Sequence, residues 1–236
     1  MFKSRSTEPE RIDTGDYSLA EYQLFLREIA FINRFLGDGL ALKKTLFREI
    51  TRGKATEFSL LDVGCGGGEL LRITAEFAQR QNIKTRLVGL DLNEIAAEAA
   101  KNKLIDVPEL TILRGDAFRL PFASNSFDYV ISSLFLHHLD DEQIPLAISE
   151  MSRIARLGVF VIDLERSRVA YYLYKLFCFA FRISPLVTQD GALSVKKGFR
   201  TSEFTSYSPG AVCRRSFPFR LVLSPPAGAF HPSSDE

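Results

Sequence analysis

The chain has 236 residues, of which 46% are apolar and 25% charged, so its composition excludes a disordered or fibrous protein and its length suits one compact domain. Its 30 basic and 29 acidic residues nearly cancel, which leaves no global field for a nucleic-acid backbone, and we predict no nucleic-acid partner. Cys65, Cys178 and Cys213 show no CxxC spacing, and the first residues do not resemble a secretory signal. We therefore expect free thiols in a reducing, cytoplasmic compartment.

The first part of the chain is predicted to form a helical cap. Residues 1–16 are polar, and we expect a loose arm there. Apolar residues at spacings of three and four predict an amphipathic helix over 18–36, and a second helix follows at about 40–50. Residues 1–53 are therefore interpreted as an N-terminal arm and helical cap.

From residue 58 onward, short apolar runs alternate with helical patterns. Strands are predicted at 58–63, 87–91, 110–113, 127–131 and 158–162, and helices at 68–81, 93–104 and 140–155. This alternation is typical of a parallel sheet covered by helices on both faces. The predicted fold class is a doubly wound α/β fold with a mainly parallel sheet, and its core is assigned to residues 54–165.

The segment 166–183 is aromatic nearly all round. Lys175 and Arg182 interrupt it, and it is too short to span a bilayer, so stable membrane insertion is not expected. A buried helix, a lid over a pocket and a helix on a membrane surface all remain open. A late strand is predicted over 213–223, followed by a loose tail, and residues 166–236 are interpreted as a lid helix and the completion of the sheet.

A glycine-rich loop at 61–69 closes the first predicted strand and opens a helix. Ligands of open α/β sheets bind beyond the carboxyl ends of the strands, and Gly64 and Gly66 let a ligand approach the backbone closely. The dinucleotide fingerprint requires its third glycine at the position of Glu69. A carboxylate there would repel a pyrophosphate but is compatible with a ligand that carries an ammonium group. Asp62 could then lie near that ammonium group.

Two further carboxylates end the next predicted strands. Asp91 closes the second strand, where it could accept hydrogen bonds from both hydroxyls of a ribose. Asp116 follows the third strand and could accept an adenine amino proton, with Leu92 and Ala117 on either side of the ring. The carboxyl ends of parallel strands share one edge of a sheet, so these residues should lie beside the glycine loop.

The motifs LLDVGCGGGEL, LVGLDLN and GDAFRLPFASNSFDYVISSLFLHHL together resemble the class I S-adenosylmethionine-dependent methyltransferases over about residues 58–165. The flanking segments more loosely resemble small bacterial methyltransferases of polyketide and quinone-type metabolites. This resemblance implies a Rossmann-like methyltransferase fold, S-adenosylmethionine as cofactor and a small-molecule acceptor. The predicted cofactor-binding residues are Asp62, Gly64, Cys65, Gly66, Asp91, Leu92, Asp116, Ala117, Ser132 and Leu134.

The residues at the end of the fourth strand constrain the acceptor. No Asn/Asp-Pro-Pro-aromatic motif of nucleobase amine methylation occurs there, and the few carboxylates at this edge favour no metal. His137 and His138 are candidate catalytic bases for a hydroxyl, because an imidazole titrates near neutral pH. Alternatively, one histidine could pack in the interior and the other could begin a helix. An acidic phenol that arrives ionised would need no base. We expect methyl transfer to a small apolar, aromatic or polyketide-like acceptor, on oxygen rather than carbon or nitrogen.

Two other classes of protein are kept open. An NAD-dependent oxidoreductase would share the sheet and Asp91, but Glu69 opposes it, and the spacing of Tyr171 and Lys175 falls inside the apolar helix rather than at a recognisable site. A non-catalytic scaffold could also retain the cofactor pocket. The sequence does not specify an oligomeric state.

Overall fold

The computed structural model describes residues 2–226. The strands are β1 (Glu57–Val63), β2 (Lys84–Asp91), β3 (Leu110–Arg114), β4 (Phe127–Ser133), β5 (Ala155–Leu164), β6 (Val212–Ser216) and β7 (Arg220–Ser224). They form one seven-stranded sheet in the order β3-β2-β1-β4-β5-β7-β6. The first five strands pair in parallel, and β7 pairs antiparallel with both β5 and β6. The predicted doubly wound, mainly parallel sheet is confirmed.

Helices cover both faces of this sheet. They are α1 (Arg11–Thr14), α2 (Leu19–Asn33), α3 (Asp38–Leu42), α4 (Arg48–Arg52), α5 (Glu69–Gln81), α6 (Glu94–Lys103), α7 (Gln143–Ile154), α8 (Arg168–Ala180), α9 (Pro185–Lys197) and α10 (Thr201–Ser206). A π-helical turn, Lys43–Phe47, joins α3 to α4. Within residues 2–226, no helix combines the length and the apolar character needed to cross a membrane.

The strands are apolar on both faces because each face packs on its own cluster of side chains. Leu60 and Leu61 are consecutive residues of β1 and are both fully buried, yet they belong to different apolar clusters. Successive strand residues point to opposite faces, so a continuous apolar run is what a sheet covered on both sides requires.

Two predictions about the ends of the chain need correction. The single strand predicted over 213–223 is wrong, because Pro218 lies between β6 and β7 and the chain turns back there to form an antiparallel hairpin. Proline has no N–H to donate to a strand ladder, so it marks the turn. The predicted loose tail lies, from residue 227 onward, outside the residues that the structure describes.

The predicted loose arm is packed against the domain instead. Phe2 is 6% exposed and Glu10 is 2% exposed. The guanidinium of Arg5 donates hydrogen bonds to the carbonyl oxygens of Lys197 and Leu139, at 3.0 and 2.9 Å. These partners are distant in sequence, so the polar composition of the arm contained no sign of them.

Candidate active site

A cavity of about 1020 Å³ opens at the carboxyl edge of the sheet, bordered by the glycine loop, the arm, α2 and α8. Leu26 and Ile29 of α2 and Tyr174 and Phe177 of α8 contribute to its apolar wall. The apolar face predicted for the first long helix therefore faces the cavity as well as the core. Acidic side chains line the cavity beside the glycine loop, and His137 and His138 line it as well.

The glycine loop is folded tightly against the sheet. The N–H groups of Gly64 and Cys65 both donate to the carbonyl oxygen of Leu90, at 2.8 and 3.1 Å. Gly64 has φ 72°, and a Cβ placed on it would lie 3.0 Å from the ring of Phe135. A left-handed backbone beside a packed ring requires glycine at this position.

Asp62 is a strongly perturbed carboxyl group beside the glycine loop. Its side chain is buried, and its Oδ1 has no hydrogen-bond partner. Burial raises the pKa of Asp62 from 3.8 to about 8, and the charges of Asp91 and Glu69 add to this increase. A buried carboxylate with a free oxygen and two acidic neighbours is suited to a cationic ligand group.

Asp91 supports the loop from the end of β2. Its carboxylate accepts hydrogen bonds from the N–H groups of Gly66 at 2.8 Å and Asn93 at 2.9 Å. Burial raises the pKa of Asp91, although these hydrogen bonds partly oppose the increase. Tyr22 of α2 is buried in the cavity wall, and burial together with the charge of Asp91 raises the pKa of its hydroxyl. The sequence analysis did not identify Tyr22 as a site residue.

The predicted cofactor-binding residues of β2 and β3 also meet at this edge. Leu92, Asp116 and Ala117 all line the cavity. Leu92 is 63% exposed, so its side chain is available to a flat ring. The Oδ1 of Asp116 accepts the N–H of Phe118 at 2.9 Å. Cys65 lines the cavity too, but burial raises the pKa of its thiol, which makes it a poor nucleophile.

The structure separates the two residues predicted at the end of the fourth strand, Ser132 in β4 and Leu134 directly after it. Leu134 lines the cavity with φ 53°, a left-handed conformation that is strained for leucine. Ser132 does not line the cavity: it is fully buried and its hydroxyl donates to the carbonyl oxygen of Val63 at 2.8 Å. Its neighbour Ser133 lines the cavity instead. Because strand residues alternate between faces, a shift of one residue changes the role.

His137 lies in the cavity wall, fixed by a carboxylate that the sequence analysis missed. Its Nδ1 donates to Asp163 Oδ1 at 2.7 Å, while its Nε2 is buried and without a partner. Burial alone would raise the pKa of Asp163, but the charge and hydrogen bond of His137 lower it. An ionised Asp163 keeps the proton on Nδ1 and leaves Nε2 as an acceptor. Asp163 could have been found because, like Asp91, it lies at the carboxyl end of a strand.

His138 contacts the arm. Its Nδ1 lies 2.8 Å from Asp13 Oδ1, and Lys197 Nζ lies 3.4 Å from Asp13 Oδ2. Burial favours the neutral ring, but the hydrogen bond to Asp13 and the charge of Glu10 outweigh it and raise the pKa of His138. Glu10 and Asp13 belong to a polar arm with no periodic pattern, so no signal in the sequence pointed to them.

Glu10, His137 and His138 also have the spacing of a metal site, with one ligand atom each within 4.8 Å of the others. The sequence analysis expected no metal. Lys197 Nζ lies 3.6 Å from Glu10 Oε1 and already supplies a positive charge beside that oxygen. This buried ammonium disfavours a second cation. We therefore interpret Glu10, His137 and His138 as a proton-transfer group rather than a metal site.

The strand order, the glycine loop and the carboxylates at the ends of β1 and β2 define the fold of the class I S-adenosylmethionine-dependent methyltransferases. Residues 61–162 match the family described as "Methyltransferase domain". The chain is 30% identical over 133 residues to a demethylmenaquinone methyltransferase from Staphylococcus aureus, a match that covers 56% of this chain and 52% of the relative. The chain thus spans about half the length of that relative.

Solved structures share the fold at low sequence identity. A SAM-dependent methyltransferase from Aquifex aeolicus aligns with a TM-score of 0.57 at 14% identity, covering 84% of this chain and 95% of the other. The magnesium protoporphyrin IX methyltransferase from Synechocystis PCC 6803, solved with SAH, aligns with a TM-score of 0.54 at 16% identity and covers 80% and 82%. The predicted Rossmann-like methyltransferase fold is confirmed.

Proposed function

We propose that this chain transfers a methyl group from S-adenosylmethionine to a small apolar, hydroxylated aromatic or polyketide-like acceptor, on its oxygen. The observation that carries the cofactor assignment is Asp62, a buried carboxylate with a free oxygen beside two other carboxylates. The ammonium and sulfonium groups of S-adenosylmethionine are attracted to such a site, whereas the pyrophosphate of NAD is repelled. This charge pattern favours methyl transfer over the oxidoreductase alternative.

The residues of the loop edge fit the parts of the cofactor. Asp62 would hold the ammonium group, and the loop over 64–68 would accommodate the methionine backbone. Asp91 would accept hydrogen bonds from the ribose hydroxyls, while Leu92 and Ala117 would contact the adenine ring. The bound cofactor supplies a methyl group on a positively charged sulfur.

The part of the cavity beside His137 would bind and deprotonate the acceptor. His137 lines the cavity, and its Nε2 has no hydrogen-bond partner and lies 4.0 Å from Glu10 Oε1. Asp163 holds the ring in the tautomer that accepts a proton at Nε2. A phenol or enol placed against Nε2 would lose its proton as its oxygen attacks the methyl carbon. Asp163 would stabilise the imidazolium, because a buried carboxylate favours the charged ring.

The lining of the cavity supports a small apolar acceptor. Its α2 and α8 walls present apolar side chains, whereas charged and polar residues line it beside the glycine loop and the arm. The relative from Staphylococcus aureus is named for a quinone-type substrate, demethylmenaquinone. A concave cavity with two apolar walls suits a compact ring better than a nucleic acid. Cys65, Cys178 and Cys213 are free thiols, which supports a cytoplasmic location.

Replacing His137 by Gln or Asp163 by Asn tests the proposed base. We expect turnover with phenols and quinols to fall by about 10²- to 10⁴-fold, the usual contribution of a positioned base, while S-adenosylhomocysteine binding is retained. Product masses and proton spectra identify the methylated atom, and circular dichroism controls for folding. Full activity in both variants would contradict a base and indicate an acceptor that arrives ionised.

Two measurements separate the alternatives. Thermal stabilisation by NADH and none by S-adenosylhomocysteine would favour an oxidoreductase. Tight binding of S-adenosylhomocysteine without turnover of a broad panel of phenols, enols and quinols would favour a non-catalytic scaffold.

A further inference from the structure

α8 carries a second apolar surface that faces away from the body of the protein. Val169, Tyr172, Leu173, Leu176 and Phe179 recur at helical spacing and are half or more exposed, with Phe179 at 83%. We refer to these five side chains as the α8 outer face. The opposite side of the helix is buried, so α8 is apolar on both sides.

The α8 outer face continues into a cluster of phenylalanine rings. Phe35 and Phe181 are 56% and 52% exposed and stack with 6.5 Å between their ring centroids. Phe181 also packs on Phe177, which lines the cavity. A contiguous exposed apolar surface marks an interaction site, whereas single exposed apolar residues are ordinary.

The charged side chains of the α8 segment itself have one sign. Residues 166–183 contain no acidic side chain. Arg168, Lys175 and Arg182 are exposed. Arg168 and Lys175 lie seven residues apart on one flank of α8, and Arg182 follows the end of the helix. An apolar face rich in aromatic and leucine side chains, flanked by basic residues, is the composition of helices that lie in the plane of an anionic membrane surface.

We propose that the α8 outer face docks this chain onto an anionic lipid bilayer, with the apolar side chains in the interfacial layer and the basic flank on the headgroups. A second copy of the chain fits this surface less well. A two-fold interface would bring identical faces together and place like-charged flanks close to each other. An anionic bilayer can both bury the apolar side chains and pair with the basic ones.

Docking in this orientation would bring the cavity to the membrane. Leu173 belongs to the α8 outer face and also lines the cavity, so one side chain borders both. An apolar acceptor could then pass from the lipid into the cavity without crossing water. This consequence rests on the proposed function, whereas the docking itself does not.

Flotation of the full chain with lipid vesicles tests the docking. Leu176 and Phe179 are absent from the cavity lining, so the variant L176S/F179S removes apolar surface without altering the site. We expect its partition onto vesicles containing phosphatidylglycerol to fall by about tenfold or more. The matched control I105S/L146S removes apolar side chains that are 86% and 61% exposed elsewhere and should bind as the unmodified chain does.

The basic flank gives a second, independent readout. The variant K175Q/R182Q should lose roughly fivefold in affinity for anionic vesicles per charge removed, and added salt should have the same effect on the unmodified chain. On vesicles of phosphatidylcholine alone, this variant and the unmodified chain should partition equally.

The proposal is overturned if the unmodified chain does not float with anionic vesicles, or if L176S/F179S floats as well as I105S/L146S. It is also overturned if light scattering finds a dimer that L176S/F179S splits, because the face then belongs to a second copy. Methyl transfer to a water-dispersed acceptor should be unchanged in L176S/F179S. If vesicle binding changes in these variants as expected but the chain shows no methyl transfer, the docking proposal stands and the proposed function is refuted.

Discussion

Replacing Asp62 by Asn should stabilise the cofactor-free protein while weakening cofactor binding. The pKa of Asp62 is raised from 3.8 to about 8 in the folded chain, chiefly by burial. Near neutral pH the unfolded chain holds this carboxylate ionised, so folding must protonate it. At about 1.4 kcal/mol per pH unit, this costs about 4 kcal/mol near pH 7 and about 2 kcal/mol near pH 5. Asparagine removes the cost.

The sign of the pH dependence distinguishes this explanation from a general packing effect. Because the folded pKa is raised, the penalty is absent below 3.8, grows as the pH rises and becomes constant above about 8. Urea unfolding of both proteins near pH 5 and near pH 7 measures it. The reasoning is refuted if Asp62→Asn is no more stable than the unmodified protein near pH 7, or if the difference does not change with pH.

Asp128 provides a control of opposite sign on the neighbouring strand. Burial tends to raise the pKa of Asp128, but hydrogen bonds from Ser59 and Arg156 outweigh it and lower the pKa. Asp128→Asn should therefore destabilise the protein at neutral pH. Its stabilising contribution is present above the unfolded value of 3.8 and is lost as the pH falls through the folded pKa.

Cofactor binding should change in the opposite direction to stability. An ammonium group requires Asp62 ionised, so the affinity of the unmodified protein for S-adenosylhomocysteine should increase about tenfold between about pH 6 and about pH 7. In Asp62→Asn we expect weaker binding that no longer follows this titration. Calorimetric titration measures both, and unchanged affinity in the variant would show that Asp62 does not hold the ammonium group.

Two further substitutions test the loop and the cap. Gly64→Ala should lose about 1–3 kcal/mol of stability and weaken S-adenosylhomocysteine binding, because the new methyl group meets a packed ring in a left-handed backbone. Gly66→Ala, with φ 51° and open space around it, should lose only the backbone part, and equal losses would contradict the packing argument. Asp38→Ala leaves the buried guanidinium of Arg220 without its ion-pair partner, and the free energy of unfolding in urea should fall by about 3–5 kcal/mol. The exposed pair control, Asp106→Ala, should cost less than about 1 kcal/mol, and a similar cost at both sites would contradict the burial argument.

The position of the carboxylates beside the glycine loop was predictable from the sequence, because they lie at the ends of consecutive strands. Asp62, Asp91 and Asp116 each follow an apolar run, and the carboxyl ends of parallel strands meet at one edge. Ser132 also lies near a strand end, but its hydroxyl donates to the carbonyl oxygen of Val63 inside the protein. A sequence pattern places a residue at a strand end, but an error of one position changes the face on which its side chain lies.

The local order of residues was sufficient to determine the alternation of strands and helices, the glycine loop and the carboxylates at the carboxyl edge of the sheet, because each depends on neighbours within a few positions. Only the tertiary structure brought the arm over the cavity, where Glu10 and Asp13 reach His138 and Lys197, and paired Asp163 with His137. These contacts join positions up to 187 residues apart, between Glu10 and Lys197. Polar side chains pair across such separations only after the core has positioned their backbones, and no periodicity in the chain records the pairing.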